Sequence, residues 1–314
     1  MLKFSTCILI AILFFYSSSQ VFGQQEDLTK TYYKNGQIHT LGKYVGDKKV
    51  GVWTFYYQNG QIDSSGNFEN DLMEGVWNWY YENGQLKGVL ANNKGKYIGE
   101  AKSYHENGQL QAVGNFKEGK SMGEWKLYYE SGNLSWIGVM NDTFPEGEYK
   151  SYYDNGQLKN IWFFKNGNKD GASKDYYENG QLQTIGKYVN GIKEGEWKEY
   201  FDNGNLFSVD LFSKGLQEGT YTHYDMDGKI VSIGNYKNGE KEGEEKYFRD
   251  GNISSIGIYI NGKEEGEWKY YYGKDYLQTI YNYKEGSLNG SYKSFHENGQ
   301  LSIAGMYEDD KQVG

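Results

Sequence analysis

Short apolar runs alternate with turn residues along almost the whole chain. The run 53–57 is as long as an ordinary strand. It ends at Asn59-Gly60, a dipeptide that favours tight hairpins because its residues tolerate positive φ. A second turn of this kind, such as Asn190-Gly191, follows about 11 residues after the preceding glycine, and the next one about 13 residues later. These separations leave room for strands and no helix, so the pattern predicts an antiparallel meander of about 24 strands.

The two turns belong to a unit of 24 residues that is repeated about twelve times from Lys30 to Gly314. Its marker is the glycine of an aromatic-aromatic-x-Asn-Gly-Gln-Leu block, as in residues 80–86. That anchor glycine recurs at Gly36, Gly60, Gly84, Gly108, Gly132, Gly156, Gly180, Gly204, Gly228, Gly251 and Gly299. In one copy Asp275 stands at the position of the anchor glycine, and the spacing between Gly228 and Gly251 is one residue shorter than in the other copies. We therefore expect an all-β protein, an elongated, curved, single-layer meander of hairpin repeats, which suits binding better than catalysis.

The hairpin register predicts which side chains share a face of the sheet. A two-residue turn at Asn59-Gly60, followed by the next turn, sets these pairs opposite each other: Tyr57 with Ile62, Phe55 with Ser64, Trp53 with Gly66, Phe68 with Met73, and Gly66 with Gly75. One face then collects tryptophan, the second tyrosine of each tyrosine pair, the leucine or isoleucine after each Gly-Gln, the tyrosine or phenylalanine near the strand end, and two glycines. The other face collects the first tyrosine, aliphatic residues such as Val113 and Ile137, and most of the Gln, Lys and Glu.

Every copy has a glycine two residues before the position that tryptophan occupies in five of the copies. The structural glycines are Gly51, Gly75, Gly99, Gly123, Gly147, Gly171, Gly195, Gly219, Gly243, Gly266 and Gly290, and the tryptophans are Trp53, Trp77, Trp125, Trp197 and Trp268. Glycine weakens a strand interior, so its use predicts a sharp bend, a positive φ or a ring lying over bare backbone. We expect the sheet to curve toward the tryptophan face there, with stacked rings as its core.

The block Gly-Glu-Trp-Lys-x-Tyr-Tyr, seen at residues 123–129 and, with a final Phe, at 195–201, resembles the MORN-repeat variant family. Bacterial members of that family are labelled YwqK-type antitoxin components. The resemblance covers almost the whole chain and implies hairpins stacked into a curved sheet, with roles in protein binding, dimerisation, membrane association or toxin neutralisation. The tryptophan is replaced in six copies, by Ala101, Ser173, Glu245, Tyr149, Tyr221 and Tyr292.

The N-terminal sequence and the charge balance restrict the compartment and the class of binding partner. A basic start and an apolar run from Cys7 to Phe15 predict a cleavable secretory signal over residues 1–23, cut near Gly23, and a repeat array over residues 24–314. We expect a secreted, periplasmic or cell-surface protein with no transmembrane segment in the mature chain. With 42 acidic against 33 basic residues and no basic patch, nucleic acid is not expected as a partner.

The residue types that carry catalysis or metal binding are scattered. The four histidines, His39, His105, His223 and His296, do not recur at metal-ligand spacing. The segment Asp225-Met226-Asp227-Gly228 resembles the start of a calcium loop but falls where other copies carry a turn, and no glutamate follows at the twelfth position. We expect no enzymatic activity, no catalytic or metal site and no cofactor.

Exposed tyrosines are the best candidates for a binding surface. The candidates are the first tyrosines of seven copies: Tyr56, Tyr80, Tyr104, Tyr128, Tyr152, Tyr176 and Tyr200. The leading hypothesis is a secreted, non-enzymatic scaffold that binds a protein or an envelope polysaccharide through this extended surface. A toxin-neutralising binding protein and a surface glycan-binding module are the alternatives. Open strand edges at the two ends also predict a weak end-to-end homo-oligomer.

Overall fold

The computed structural model describes residues 27–142, 144–273 and 276–313. The predicted signal over residues 1–23, Asp275 and Gly314 lie outside the described residues. Those that are described form one antiparallel sheet of 29 strands and no helix. The all-β meander predicted from the turns is therefore confirmed.

The strands follow one another through the sheet in sequence order and pair antiparallel with their neighbours. They are β1 Thr29–Tyr32, β2 Ile38–Val45, β3 Lys48–Tyr56, β4 Ile62–Glu69, β5 Leu72–Tyr80, β6 Leu86–Asn93, β7 Lys96–Tyr104, β8 Leu110–Lys117, β9 Lys120–Tyr128, β10 Leu134–Asn141, β11 Phe144–Tyr152, β12 Leu158–Lys165, β13 Asn168–Lys169, β14 Gly171–Tyr176, β15 Leu182–Val189, β16 Ile192–Tyr200, β17 Leu206–Ser213, β18 Leu216–Gln217, β19 Gly219–Tyr224, β20 Ile230–Lys237, β21 Glu240–Lys241, β22 Gly243–Arg249, β23 Asn252–Ile260, β24 Lys263–Tyr271, β25 Leu277–Lys284, β26 Ser287–Leu288, β27 Gly290–Phe295, β28 Leu301–Glu308 and β29 Lys311–Val313.

Four of these strands are two-residue segments, and each is continued by the next strand after one residue. Counted with their continuations, the 29 strands form 25 strand lines, close to the predicted number. Among the described strands, β1 and β29 each pair with one neighbour. End-to-end association through these edges stays a prediction.

The two turns of each repeat differ in kind. At most second turns both central residues have positive φ, as at Asn190 (49°) and Gly191 (81°), which is a type I′ hairpin. At the first turn only the glycine does, at 87° for Gly60, and the Tyr57 N–H donates to the Gln61 oxygen over 2.8 Å. The predicted two-residue turn at Asn59-Gly60 is therefore wrong, because the loop holds three residues.

This longer loop changes the register next to the turn. Ile62 pairs with Tyr56 and not with Tyr57, and a bulge then restores the predicted pairs of Phe55 with Ser64 and Trp53 with Gly66. Opposite residues of an antiparallel pair share a face. The aliphatic residue after each Gly-Gln therefore joins the first tyrosine, which corrects the face assigned to it from the sequence.

The missing residue between Gly228 and Gly251 is also absorbed at a turn. Asp250 and Gly251 both have positive φ (50° and 79°), and Arg249 pairs directly with Asn252. This copy replaces the three-residue loop by a two-residue type I′ turn. The deletion therefore shortens the loop, and β22 and β23 are each one residue longer than β14 and β15.

The structural glycines sit at bulges. Glu74 pairs with Asn67 and Asn78 with Ser65, so Gly75 does not face Gly66 as predicted. φ is positive at all eleven structural glycines, from 68° at Gly75 to 125° at Gly171. A Cβ added to Gly75 would meet no atom within 4 Å. Of the three explanations considered, positive φ at a bulge is the one that applies at Gly75.

In five repeats a tryptophan ring covers the other glycine. A Cβ built on Gly66 would lie 2.2 Å from Cδ2 of Trp77, and Trp77 itself is 1% exposed. Neighbouring rings continue the row, with Phe68 4.9 Å and Trp79 6.1 Å from Trp77 between centroids. One face of the sheet, the Trp face, thus carries the core, and the opposite Tyr face carries the first tyrosines.

Candidate binding surface

The seven candidate tyrosines stand at equivalent places on the Tyr face. Tyr56, Tyr80, Tyr104, Tyr128, Tyr152, Tyr176 and Tyr200 are all half-buried. Each ends a strand of the same type and is paired with the aliphatic residue after the first turn, as Tyr128 is with Leu134. Successive copies are two strands apart, so the rings recur about every 10 Å at roughly 4.8 Å per strand. The structure brings all seven into one row.

A band of lysine and aliphatic side chains runs beside that row. Cross-strand pairing joins the residues of this Lys–Ile band in the order Lys102, Val113, Lys126, Ile137, Lys150, Ile161, Lys174, Ile185, Lys198 and Val209. The alternation continues through Ile233, Lys246, Ile256, Lys269, Ile280 and Lys293. Because opposite residues share a face, these side chains form one continuous surface.

Glutamates pair with several of the band's lysines along the same strand. The Nζ of Lys126 lies 2.8 Å from Glu124, and that of Lys198 lies 2.8 Å from Glu196. The hydrogen bond to Glu124 raises the pKa of Lys126, and Glu196 does the same for Lys198. These exposed pairs contribute little to stability. Their effect is to keep the surface charged but locally neutral, with an aliphatic stripe between the pairs.

Hydrogen bonds between copies hold the tyrosine row in place. The hydroxyl of the second tyrosine donates to the backbone oxygen of the first tyrosine in the next copy, as from Tyr57 to Tyr80 and from Tyr129 to Tyr152, each over 2.8 Å. His105 makes the equivalent contact with Tyr128 over 2.9 Å. Burial, with Asp63 next in importance, raises the pKa of Tyr57 to about 12. This tyrosine ladder fixes the spacing of the row.

The asparagines of the first turns form a parallel set of contacts. The Asn59 Oδ1 accepts the N–H of Gln61 over 2.9 Å, which closes its own turn. Its Nδ2 donates to the backbone oxygen of Glu82 in the next copy over 2.9 Å. Each turn is therefore tied to its neighbour, and the tyrosines beside the turns stand on a fixed backbone.

A buried polar cluster on the Trp face has the residue types of a hydrolase triad in a different arrangement. Asp210 accepts from Ser208 over 2.7 Å, and the Nε2 of His223 lies 3.7 Å from the same carboxylate. Burial raises the pKa of Asp210, but His223, Ser208 and Gln217 outweigh it and hold this pKa below its usual range. The serine bonds to the aspartate, whereas a triad needs it on the histidine.

The described residues form neither a metal-ligand cluster nor a membrane-spanning helix. No group of three or more His, Cys, Asp or Glu residues is placed to hold a metal ion in residues 27–142, 144–273 and 276–313. Within the same ranges, no helix has the length and apolar character needed to cross a membrane.

Sequence reasoning located the tyrosine row and placed the aliphatic and lysine residues on the same face, but it did not predict that they alternate across the strands as the Lys–Ile band. The signal was present, because Glu, Lys and Tyr alternate in the block 124–128 and must share a face of a strand. What the sequence did not give was the pairing of Lys126 with Val113 on one side and Ile137 on the other.

Comparisons with known proteins identify the family. No curated protein matches the chain. Among solved structures, a TcdB2-TccC3 crystal structure is 14% identical, with a TM-score of 0.18, over 90% of this chain and 18% of that one. A Photorhabdus luminescens Tc holotoxin pore is 13% identical, with a TM-score of 0.18, over 90% of this chain and 18% of that one. The chain thus spans less than a fifth of each.

A family profile described as "MORN repeat variant" matches nine stretches that together make up more than half of the chain. They are residues 49–70, 73–90, 97–118, 123–135, 145–166, 169–190, 193–213, 217–238 and 288–309. The matched units follow the 24-residue period and the hairpins described above. The chain belongs to the MORN repeat variant family.

Proposed function

We propose that the protein is a non-enzymatic scaffold that binds an extended partner through its Tyr face. The observation that carries this proposal is the tyrosine row next to the Lys–Ile band, since these rings are only half-buried on one face of a single sheet. Tyrosine offers large amphipathic area at a small cost in side-chain entropy. Many weak, equally spaced contacts on one rigid sheet add up to useful affinity.

The partner class follows from the chemistry of the face. Paired charges such as Lys126–Glu124 leave no strong field of one sign, so a polyanion is disfavoured. Tyrosine rings, aliphatic stripes and flanking hydrogen-bonding groups suit an extended protein surface or an envelope polysaccharide. We also propose that the chain is exported through a signal over residues 1–23, which would put the partner outside the cytoplasm. A toxin-neutralising role would be a finer version of protein binding, and it requires retention inside the cell.

Affinity capture with matched variants tests this proposal. The mature protein is used as bait against solubilised envelope proteins and, separately, against insoluble envelope polysaccharide. The triple variant Tyr128→Ser/Tyr152→Ser/Tyr176→Ser removes three neighbouring rings and should lose most of the captured partner while its circular dichroism spectrum stays that of a β-sheet. Equal capture by this variant and the natural chain would contradict the proposal.

The control variant changes exposed apolar residues away from the row. Leu72, Ile192 and Leu216 are 47%, 48% and 51% exposed and lie beside second turns. The variant Leu72→Ser/Ile192→Ser/Leu216→Ser should keep full capture. Intact-mass measurement of the exported protein, with residues 1–23 removed, tests the compartment; a retained cytoplasmic chain would favour the toxin-neutralising version.

A further inference from the structure

The Trp face contains one repeat in which large side chains are missing at several facing positions. Ala101 stands where five other copies carry tryptophan, and Ser103 where Phe55 and Trp79 stand. On the preceding strand, Asn92 replaces the Phe or Tyr of most other copies. Asn92 is 2% exposed, and neither polar atom of its side chain has a hydrogen-bond partner among the described residues.

The small side chains of Ala101 and Ser103 leave an apolar cavity of about 290 Å³. It is lined by Trp79, Tyr97, Phe116 and Trp125, with Ala101 and Gly88 among the small residues. Trp125 is only half-buried on this side, whereas the other four tryptophans at its position are 1% or 2% exposed.

Other copies that lack the tryptophan fill the same space. Opposite Ser173, the position that holds glycine elsewhere carries Trp162, whose ring stacks on Tyr149 at 5.6 Å. Glu245 lies against Gly234, is 1% exposed and bonds the Nζ of Lys241 over 2.9 Å. Opposite Ala101 the corresponding residue is Leu90, which leaves the cavity open.

The size and walls of the cavity define the group that fits. An apolar cavity of about 150 Å³ is large enough to hold benzene, so this one accommodates a bicyclic ring. Trp79 and Trp125 flank the space, and Tyr97 lies 5.5 Å from Phe116. Aromatic walls favour a planar ring over an aliphatic group of the same volume, because ring pairs gain from offset and edge-to-face contacts.

We propose that this cavity is a binding site for a small, neutral, planar aromatic molecule of the size of indole. The molecule takes the place that a tryptophan ring of the chain itself occupies in five other copies. The site lies on the face opposite the tyrosine row, so the inference does not depend on the proposed function.

A titration of the mature protein with 5-fluoroindole, followed by ¹⁹F NMR, tests the proposal. We expect saturable binding at one site with a dissociation constant of about 0.01–1 mM, the range that ligand efficiency allows for so small a molecule. Cyclohexylmethanol should bind at least about tenfold more weakly. Non-saturable binding of 5-fluoroindole, or equal binding of the aliphatic compound, overturns the proposal.

Two variants locate the site. The double variant Leu90→Gly/Ala101→Trp rebuilds the glycine–tryptophan pair of the other copies, fills the cavity and should weaken 5-fluoroindole binding at least about tenfold without loss of thermal stability. The variant Ser173→Ala changes the same position in a copy whose space is filled and should bind as the natural chain does. Unchanged binding by the double variant overturns the assignment to this cavity. Equal binding of N-acetyltryptophanamide would assign the site to a partner's side chain and contradict a free small molecule.

Discussion

The core of this sheet is built from pairs of residues. In each pair the side chain of one residue, the covering residue, lies over the other, the covered residue. In five copies a tryptophan covers a glycine, as Trp197 covers Gly186 with its Cδ2 2.2 Å from where a Cβ would stand. Where the covering residue is small, the covered residue is large, as in Leu90 with Ala101 and Trp162 with Ser173. The two residues therefore change together, and the exchange fills the space in the Trp162–Ser173 pair but leaves a cavity at the Leu90–Ala101 pair.

The covering pair predicts a coupling that can be measured. Gly186→Ala should destabilise the protein by about 1–3 kcal/mol, because the new Cβ overlaps the Trp197 ring. In a Trp197→Ala background the same change should cost much less. A double-mutant cycle from denaturant unfolding gives the coupling energy, which we expect to exceed about 1 kcal/mol.

Gly195 supplies the control for that cycle. A Cβ there meets no atom within 4 Å, and the cost of Gly195→Ala comes only from its φ of 75°. Gly195→Ala should therefore destabilise equally in both backgrounds, by about 1–2 kcal/mol. A coupling as large for Gly195 as for Gly186 would contradict the covering argument.

The tyrosine ladder makes stability sensitive to alkaline pH. The pKa of Tyr57 is raised from 10.0 to about 12, so the folded state holds this proton more tightly than the unfolded state. The resulting stability is fully present below pH 10 and is lost as pH rises through 12. The free energy of unfolding, measured with urea at a series of pH values, should show this fall. Tyr57→Phe should make the dependence of that free energy on pH shallower, by the contribution of one proton. An unchanged slope would count against the burial of this hydroxyl.

At the scale of strands and turns, each hairpin is joined to the next by side chains as well as by the sheet. The ladder is interrupted at Phe201, which has no hydroxyl, and is present again at Tyr272, which donates to Phe295 over 3.2 Å. The short strands β13, β18, β21 and β26 occur in four of the six copies in which the tryptophan is replaced. In these four copies the strand is interrupted next to the structural glycine.

The ladder can be weakened in one place and extended in another. Tyr129→Phe removes the donor to Tyr152 and should destabilise the protein by about 0.5–1.5 kcal/mol. Phe201→Tyr places a hydroxyl at a site that lacks one and should stabilise the protein or leave it unchanged. Thermal unfolding of the two variants gives the comparison, and the same sign of change in both would refute a ladder that acts between copies.

The sequence predicted much of this arrangement because turn dipeptides and the period of 24 residues are local signals. They gave the meander, the structural glycines and the tyrosine row. The pairing of Tyr57 was predicted wrongly, because a two-residue and a three-residue loop both contain Asn-Gly and differ in the φ of Asn59. The cavity beside Ala101 was not predicted, since it depends on residues of three neighbouring strands being small together.

The whole molecule is a one-dimensional array in which each hairpin contacts its sequence neighbours. The side-chain ladder joins residues 23 positions apart, and strand pairing joins consecutive strands. Twenty-five strand lines at roughly 4.8 Å give a contour of about 120 Å. Such an object has no central core, and its stability is a sum of similar terms along its length.

Small-angle X-ray scattering should show this extended shape. A compact chain of 314 residues would have a radius of gyration of about 20 Å. We expect a value nearer 30 Å, since the contour is about 120 Å long at roughly 4.8 Å per strand. Circular dichroism of the same sample should show strand and very little helix. A radius near 20 Å would contradict the open array.

The sequential pairing of the strands also determines how the protein responds to a mechanical load. A force applied between β1 and β29 acts along the sheet and across the strands, in the direction of the inter-strand hydrogen bonds. Such a load opens these bonds a few at a time, as in a zipper, and does not shear a whole strand at once. Pulled from its two ends, the protein would lengthen by releasing one hairpin after another at low force, and each released hairpin could fold back onto the edge it left.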